Sequence, residues 1–380
     1  LGEARVNVVI RADAAVHIGS GHVMRCLTLA DELRSCGAKV TFICRDWEGH
    51  LQKHIESKGY RCFLLKRPSE DYSEPSNEYA AWLGVSKEQD AAETLALIHE
   101  HIATNRIEHI ATNRIDWCIT DHYGIDAEWH GIVRQKVHQI MVIDDIANRH
   151  YDCDVLLDQN LYDNPEKRYQ SRVPANCRLL LGPKYALLRP EFREARERLG
   201  ARLVRNGEIK RIMVFFGGSD PTNETAKAVK ALQILNRKDI KSDIIVGIAN
   251  PHREEIEQLC AQTPNLHFHC QVSNMADFMT QADLALGAGG STTWERCCLG
   301  LPTLAVIIAE NQAEMTETAA RHGLQWNLGW NAQVSPGSIA EAIENCARLP
   351  GKVELYSRNG YETVDGLGAK RIAGVLSKFL

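Results

Sequence analysis

Short apolar runs and helix-period stretches alternate along almost the whole chain. In the first half, apolar and often β-branched runs fall at residues 6–12, 40–44, 62–65, 117–120 and 140–143, with helical patterns filling the gaps. The second half repeats the rhythm at 211–216, 243–246, 266–269, 284–286 and 303–307. Strands covered on both faces read as continuous apolar runs, and strand–helix alternation builds parallel sheets. The pattern therefore predicts an α/β fold with two Rossmann-like domains. The polar, arginine-rich stretch 192–210 separates the two series and predicts domains at 1–200 and 205–380, with a terminal helix packing back on the first. Open parallel sheets bind ligands at the carboxyl ends of their strands, so the chemistry is expected in loops facing an interdomain cleft.

Two segments break the rhythm. Residues 67–88 are rich in Ser, Pro, Glu and Asn without periodicity, which reads as a surface excursion with no chemistry. Residues 101–108 and 109–116 are a nearly perfect tandem duplication of eight residues. Eight residues add a little over two helical turns and rotate a helix by only about 80°, so the repeat reads as a duplication in an exposed helix or αβ loop. Its histidines have no Cys or carboxylate cluster beside them and do not suggest a metal site.

With 380 residues, 44% of them hydrophobic and 24% charged, the chain can fill two cores. Its net charge of −5 and scattered basic residues exclude nucleic acid as an expected partner. No apolar run is long enough to span a bilayer, and residues 1–13, which open on Leu1, lack the pattern of a signal peptide. A cytoplasmic setting without membrane insertion is the default expectation. The twelve cysteines are dispersed through apolar segments with no CxxC pair, which predicts reduced core thiols and no metal or cofactor site.

Two glycine-rich βα junctions carry candidate chemistry. In the first, the strand before Arg11-Ala12-Asp13 passes through Ile18-Gly19-Ser20-Gly21-His22-Val23-Met24-Arg25 into a helix marked by Val23, Cys26, Leu27, Leu29 and Leu33. Gly19 and Gly21 permit positive φ and close approach of a ligand, and free amides at the helix start favour an anion. His22 then stands where it can take up a proton near neutral pH. Asp13 either braces the turn or orients that imidazole, and Arg25 either binds an anion or forms a surface salt bridge. His17 reads as a loop residue.

In the second, Gly287-Ala288-Gly289-Gly290-Ser291-Thr292-Thr293-Trp294-Glu295 reads as a diphosphate cradle. Ser291 or Thr292 can cap the helix and donate to a phosphate oxygen. Glu295, one turn on, can accept from a ribose diol, or is a plain first-turn carboxylate favoured by the helix dipole. Gly217-Gly218-Ser219-Asp220 is a further tight loop, and Asn311-Gln312 can bind hydroxyl or amide groups. No Walker A loop or GxGxxG with a following acid is present, which disfavours ATP and NAD. Thr120-Asp121-His122-Tyr123-Gly124 ends a buried strand, with Tyr123 able to present its hydroxyl to a sugar and His122 able to brace the loop. Asp144 and Asp145 end the next strand and, as adjacent residues on opposite faces, are poor partners for two-carboxylate chemistry. Trp294 and Trp326 read as packing residues.

Taken in order from Arg11-Ala12-Asp13 and Ile18-Gly19-Ser20-Gly21-His22 through Asp121-His122-Tyr123-Gly124, Ile143-Asp144-Asp145, Gly217-Gly218-Ser219-Asp220 and Asn311-Gln312 to residues 365–372, the motifs resemble those of the UDP-sugar hydrolases of pseudaminic acid biosynthesis. The resemblance implies a GT-B-like fold, similar to the transferase that adds N-acetylglucosamine to lipid II, with the nucleotide held mainly by the second domain. It implies that His22 is the catalytic base, that Tyr123, Asn311 and Gln312 line the sugar pocket with Asp13, Gly19, Gly21 and Arg25, and that Gly217, Gly218, Ser291, Thr292 and Glu295 bind UDP. The expected reaction is metal-independent, inverting hydrolysis of UDP-2,4-diacetamido-2,4,6-trideoxy-β-L-altropyranose at its anomeric carbon. A GT-B glycosyltransferase using a UDP-N-acetylated sugar and a non-catalytic nucleotide-sugar binding protein are the other readings, and the oligomeric state stays open.

Overall fold

The computed structural model describes residues 6–69, 79–102 and 115–379, so most of the octapeptide duplication and residues 70–78 of the polar excursion lie outside the described residues. Seven parallel strands form the first sheet: β1 (Asn7–Ala12), β2 (Lys39–Arg45), β3 (Arg61–Leu65), β4 (Ile115–Asp121), β5 (Val137–Ile143), β6 (Val155–Asp158) and β7 (Arg178–Leu181), in the order β3-β2-β1-β4-β5-β6-β7. Six more form the second: β8 (Arg211–Phe215), β9 (Lys241–Val246), β10 (Leu266–Cys270), β11 (Leu284–Ala288), β12 (Thr303–Ile307) and β13 (Trp326–Trp330), in the order β10-β9-β8-β11-β12-β13. Strand order reverses beside the first strand of each sheet, between β1 and β4 and between β8 and β11. Those are the places where the flanking loops diverge and leave room for a ligand.

The central strands are buried along nearly their whole length because helices cover both sides. Val8 and Ile10 of β1 pack with Val23, Leu27 and Ala30 of the helix Gly21–Ser35 and with Ile372 and Leu376 near the carboxyl terminus, while Val9 joins Ile43, Trp129 and Val133 on the other face. In the second unit Ile212 and Val214 pack with Val229 and Leu232 of the helix Glu224–Leu235. Each such side chain, moved fully out of water, contributes about 1.5–3 kcal/mol.

By its contacts the chain forms two units, Leu1–Gln159 with Asn164–Leu187 and Gly368–Leu380, and Asn160–Asp163 with Leu188–Leu367. The helix Gly368–Leu376 returns to the first unit and lies against Gly21–Ser35. A Cβ on Gly368 would fall 2.2 Å from the Ala186 carbonyl oxygen, so only glycine lets this helix begin where it does.

Three strands escape the apolar pattern. β6 and β7 have four residues each, too few to show a period, and β13 reads Trp-Asn-Leu-Gly-Trp with all five positions half-buried, as an edge strand does. The cysteines are all free thiols. Among the described residues no helix is long and apolar enough to cross a membrane.

Candidate functional site

In the first unit the site starts from register. Ala12 pairs with Asp121, so the ends of β1 and β4 are neighbours although 109 positions separate them. After β1 the chain turns through Gly19 (φ +83°), whose amide donates to the Ala15 carbonyl at 2.8 Å, and enters the helix Gly21–Ser35 with no capping bond from the Ser20 side chain. His22 is buried at the second helical position, and its Nδ1 lies 2.6 Å from Asp121 Oδ1. One turn further, Arg25 donates from Nε and Nη2 to the two oxygens of Asp121 at 2.6 and 2.7 Å, and from Nη1 to Asp145 Oδ2 at 3.1 Å. The Tyr123 hydroxyl donates to Asp145 Oδ1 at 2.6 Å, and its ring meets the His22 ring edge-on at 4.7 Å.

Burial alone would raise the Asp121 pKa, but the positive charge of Arg25, the neighbouring His22 and their hydrogen bonds outweigh it and hold the carboxyl below the ordinary range. An ionised Asp121 only accepts, so Nδ1 of His22 carries the proton and Nε2 is left as the basic atom. Arg25 is committed to this cluster and half-buried in it, not placed in an exposed salt bridge.

The carboxylate that orients His22 is therefore Asp121 and not Asp13. Asp13 is fully buried beneath the turn, accepting from Arg11 Nη1 at 2.5 Å and the Arg45 amide at 2.6 Å, with His122 Nε2 at 3.3 Å. His122 braces its own loop by accepting from the Gly124 amide at 3.0 Å. Below them Asp90 joins Arg11 Nη2 at 2.7 Å, Arg45 Nη2 at 2.6 Å and Trp129 Nε1 at 2.9 Å in a network shut off from solvent. Asp144 and Asp145 diverge as adjacent residues do. Asp144 holds the Ala147 amide, Tyr169 and Arg149, whereas Asp145 turns to Arg25 and Tyr123. His17 sits in its turn with its ring edge against Trp47.

The second unit is organised differently. At Gly217 (φ +105°) and Gly218 a Cβ would meet nothing, although the Gly218 carbonyl packs closely against Gly247. Asp220, itself at φ +38°, caps the helix Glu224–Leu235 with both oxygens, on the Glu224 and Thr225 amides at 3.0 and 2.8 Å. After β11 the glycines divide by role. A Cβ at Gly287 or Gly289 would strike Arg296 Nη1 at 2.4 Å or Thr316 Oγ1 at 1.9 Å, so these two serve packing, whereas at Gly290 it would meet only Gln312 Nε2, at an ordinary contact distance of 3.5 Å. The helix Thr292–Cys298 starts there without a side-chain cap: neither Ser291 nor Thr292 performs the capping expected, because Ser291 already has helical φ and ψ.

Glu295 is raised by burial, an effect opposed by Arg189 Nη2 3.3 Å away. Burial lowers Arg296 to about 10, and it donates to the Ala288 carbonyl at 2.9 Å. Trp294 packs in the core with Nε1 on Asn160, and Trp326 stacks on Tyr356. Asn311 is exposed in the turn Glu310–Gln312 after β12, and Gln312 Oε1 accepts from the Ile308 amide at 3.3 Å.

The structure thus joins His22, Arg25 and Tyr123 to Asp121 and Asp145, and in the second unit sets the Gly217–Gly218 and Gly290–Thr292 turns after the paired strands β8 and β11. Among the described residues no group of three or more His, Cys, Asp or Glu side chains is arranged to hold a metal.

Residues 211–359 match the sequence profile of the glycosyltransferase family 28 C-terminal domain. Over 206 residues the chain is 31% identical to the spore coat polysaccharide biosynthesis protein SpsG of Bacillus subtilis, a match covering 54% of this chain and 59% of that one, so the chain spans well under two thirds of that relative. Over 327 residues it is 25% identical to the UDP-2,4-diacetamido-2,4,6-trideoxy-β-L-altropyranose hydrolase of Campylobacter jejuni, covering 84% of this chain and 98% of that one. The structure is similar to that of MurG from Acinetobacter baumannii, with a TM-score of 0.64 at 12% identity over 99% and 100% of the two chains. The fold is accordingly GT-B: two Rossmann-like halves, each with its own parallel sheet.

Proposed function

We propose that the protein hydrolyses a UDP-linked, N-acetylated 6-deoxyhexose, of the kind named for the Campylobacter relative, at its anomeric carbon. The observation that carries this reading is the 2.6 Å contact between His22 Nδ1 and the ionised Asp121, which leaves Nε2 as a base of defined orientation. In the proposed step a water oxygen forms a bond to the anomeric carbon as the bond from that carbon to the UDP oxygen breaks. Nε2 takes the water proton, and the imidazolium so formed is stabilised by Asp121. Direct displacement inverts the anomeric centre. UDP is a weakly basic leaving group, and the developing charge on its phosphate is met by donors rather than by an acid.

Those donors are assigned to the backbone amides at Gly217, Gly218 and Gly290 and to the Ser291 and Thr292 hydroxyls. Glu295 is assigned to the ribose, and Tyr123, Asn311 and Gln312 to the sugar. A glycosyltransferase with the same base is the second reading, favoured by the profile match over residues 211–359.

Proton NMR of the protein with the UDP-linked altropyranose, without an acceptor, tests the proposal. Free sugar should appear first as the inverted anomer. His22→Ala and Asp121→Asn should each slow its release by about a hundredfold or more while UDP still binds. Undiminished release by His22→Ala removes the base assignment. Intact substrate that is consumed only when an alcohol acceptor is added identifies a transferase.

A further inference from the structure

The stretch 67–88, which reads as polar excursion, brings two aromatic residues to the proposed base. Trp82 is half-buried in the turn Ala80–Leu83 and stacks on the Tyr123 ring, with centroids 5.5 Å apart and planes 30° off parallel. It stands 6.3 Å from the His22 ring and 6.5 Å from that of His17. Tyr79 meets both Trp82 and Tyr123 edge-on at 5.1 Å.

Two glycines hold this turn in place. At Gly84 (φ +71°) a Cβ would fall 2.2 Å from Pro68 Cγ and 2.7 Å from Trp47 Cζ2, and at Gly124 it would fall 2.9 Å from Leu83 Cγ and 3.0 Å from the Tyr79 carbonyl oxygen. Larger residues would force the segments apart, so the rings are seated by backbone packing as well as by each other.

We propose that Trp82, supported by Tyr79, is the wall against which the aliphatic face of the sugar lies, and that it selects a 6-deoxy sugar over its 6-hydroxy counterpart. This rests on His22 being the base of a sugar-nucleotide enzyme. The Trp82 and Tyr123 rings lie 6.3 and 4.7 Å from the His22 ring, centroid to centroid, so in this proposal a sugar whose anomeric carbon is served by His22 extends beside them. Aromatic faces favour C–H and methyl groups over hydroxyls, which lose water there without gaining a partner. The Tyr123 proton is already given to Asp145, so its oxygen can accept from a sugar hydroxyl but not donate to one.

The test measures binding and turnover together. Wild type, Trp82→Ala and Trp82→Phe are titrated calorimetrically with UDP, the UDP-linked 6-deoxy altropyranose and its 6-hydroxy analogue. Free sugar is followed by NMR in parallel. Trp82→Ala should bind the 6-deoxy compound about tenfold more weakly, with little change for the 6-hydroxy analogue and none for UDP, and Trp82→Phe should restore most of the preference. Equal loss for both sugars, or no loss, overturns the assignment. If the preference depends on Trp82 but no protein releases sugar, the wall stands and the hydrolase reading falls; if Trp82→Ala hydrolyses at wild-type KM, the reverse holds.

Discussion

The carboxyl ends of the two sheets are built on opposite principles. In the first unit, Arg11, Asp13, Arg45, Asp90, His122, Asp121, His22, Arg25 and Asp145 leave almost no polar group there without an ionic or hydrogen-bonded partner. In the second, Gly217 and Gly218 after β8 have room for a further carbon, and the short helix after β11 starts without a side-chain cap, while Asp220 caps the helix after β8. Under the proposed function the contrast follows from what each task would demand. A base must be oriented and its counter-ion kept ionised before substrate arrives, which takes a preorganised network. An anion is held by donors that have no other partner, and filling them with side chains would remove the site.

The largest effect separating the two ends should come from Asp90→Ala. It strips two buried guanidinium groups of their shared carboxylate and should lower stability by about 3–5 kcal/mol, read as a fall in the urea midpoint. The corresponding change in the second unit, Asp220→Ala, removes a helix cap and should cost about 1–2 kcal/mol. Equal losses would erase the distinction.

Acid should then separate the units. Burial and the charges of Arg149 and Arg134 lower His130 to about 3, so from near pH 6.5 downward the unfolded chain takes up a proton that the folded first unit resists. Asp13, Asp90 and Asp121 are held low because the nearby arginine charges outweigh the opposing effect of burial. Their stabilisation is present above about pH 4 and is lost as pH falls through the folded values. Hydrogen exchange on a pH series should show the amides of β1 losing protection before those of β8. The opposite order would refute this account.

The smallest effect is expected at Ser291→Ala. With no capping bond to lose, the melting temperature should hold, while UDP affinity falls by about threefold to tenfold, the worth of one hydrogen bond. A drop in melting temperature with unchanged UDP affinity would make Ser291 structural and leave the second unit without its proposed cradle.

Much of this was legible in the chain. Near-continuous apolar runs such as Val8-Val9-Ile10 mark buried parallel strands, and glycine followed by a helical pattern marks the turns at Gly19 and Gly290. His22 and Tyr123 stood out because a histidine or tyrosine at the end of a buried strand or the start of a helix has little packing reason to be there. Trp82 gave no such signal, since its stretch lacks periodicity and its neighbours in space are far away in sequence.

The sequence by itself determined the alternation of strand and helix and the positions of the glycine turns, and it singled out His22 as the candidate base, because each depends on local periodicity and residue type. Only the tertiary structure decided that Asp121 and not Asp13 orients His22, since the register of β1 against β4 brings Asp121 to the turn and sends Asp13 under it. It also decided which glycines have room for a further carbon and which do not, as Gly290 and Gly289 show. Adjacent residues of the same type differ there only in what the rest of the chain places beside them.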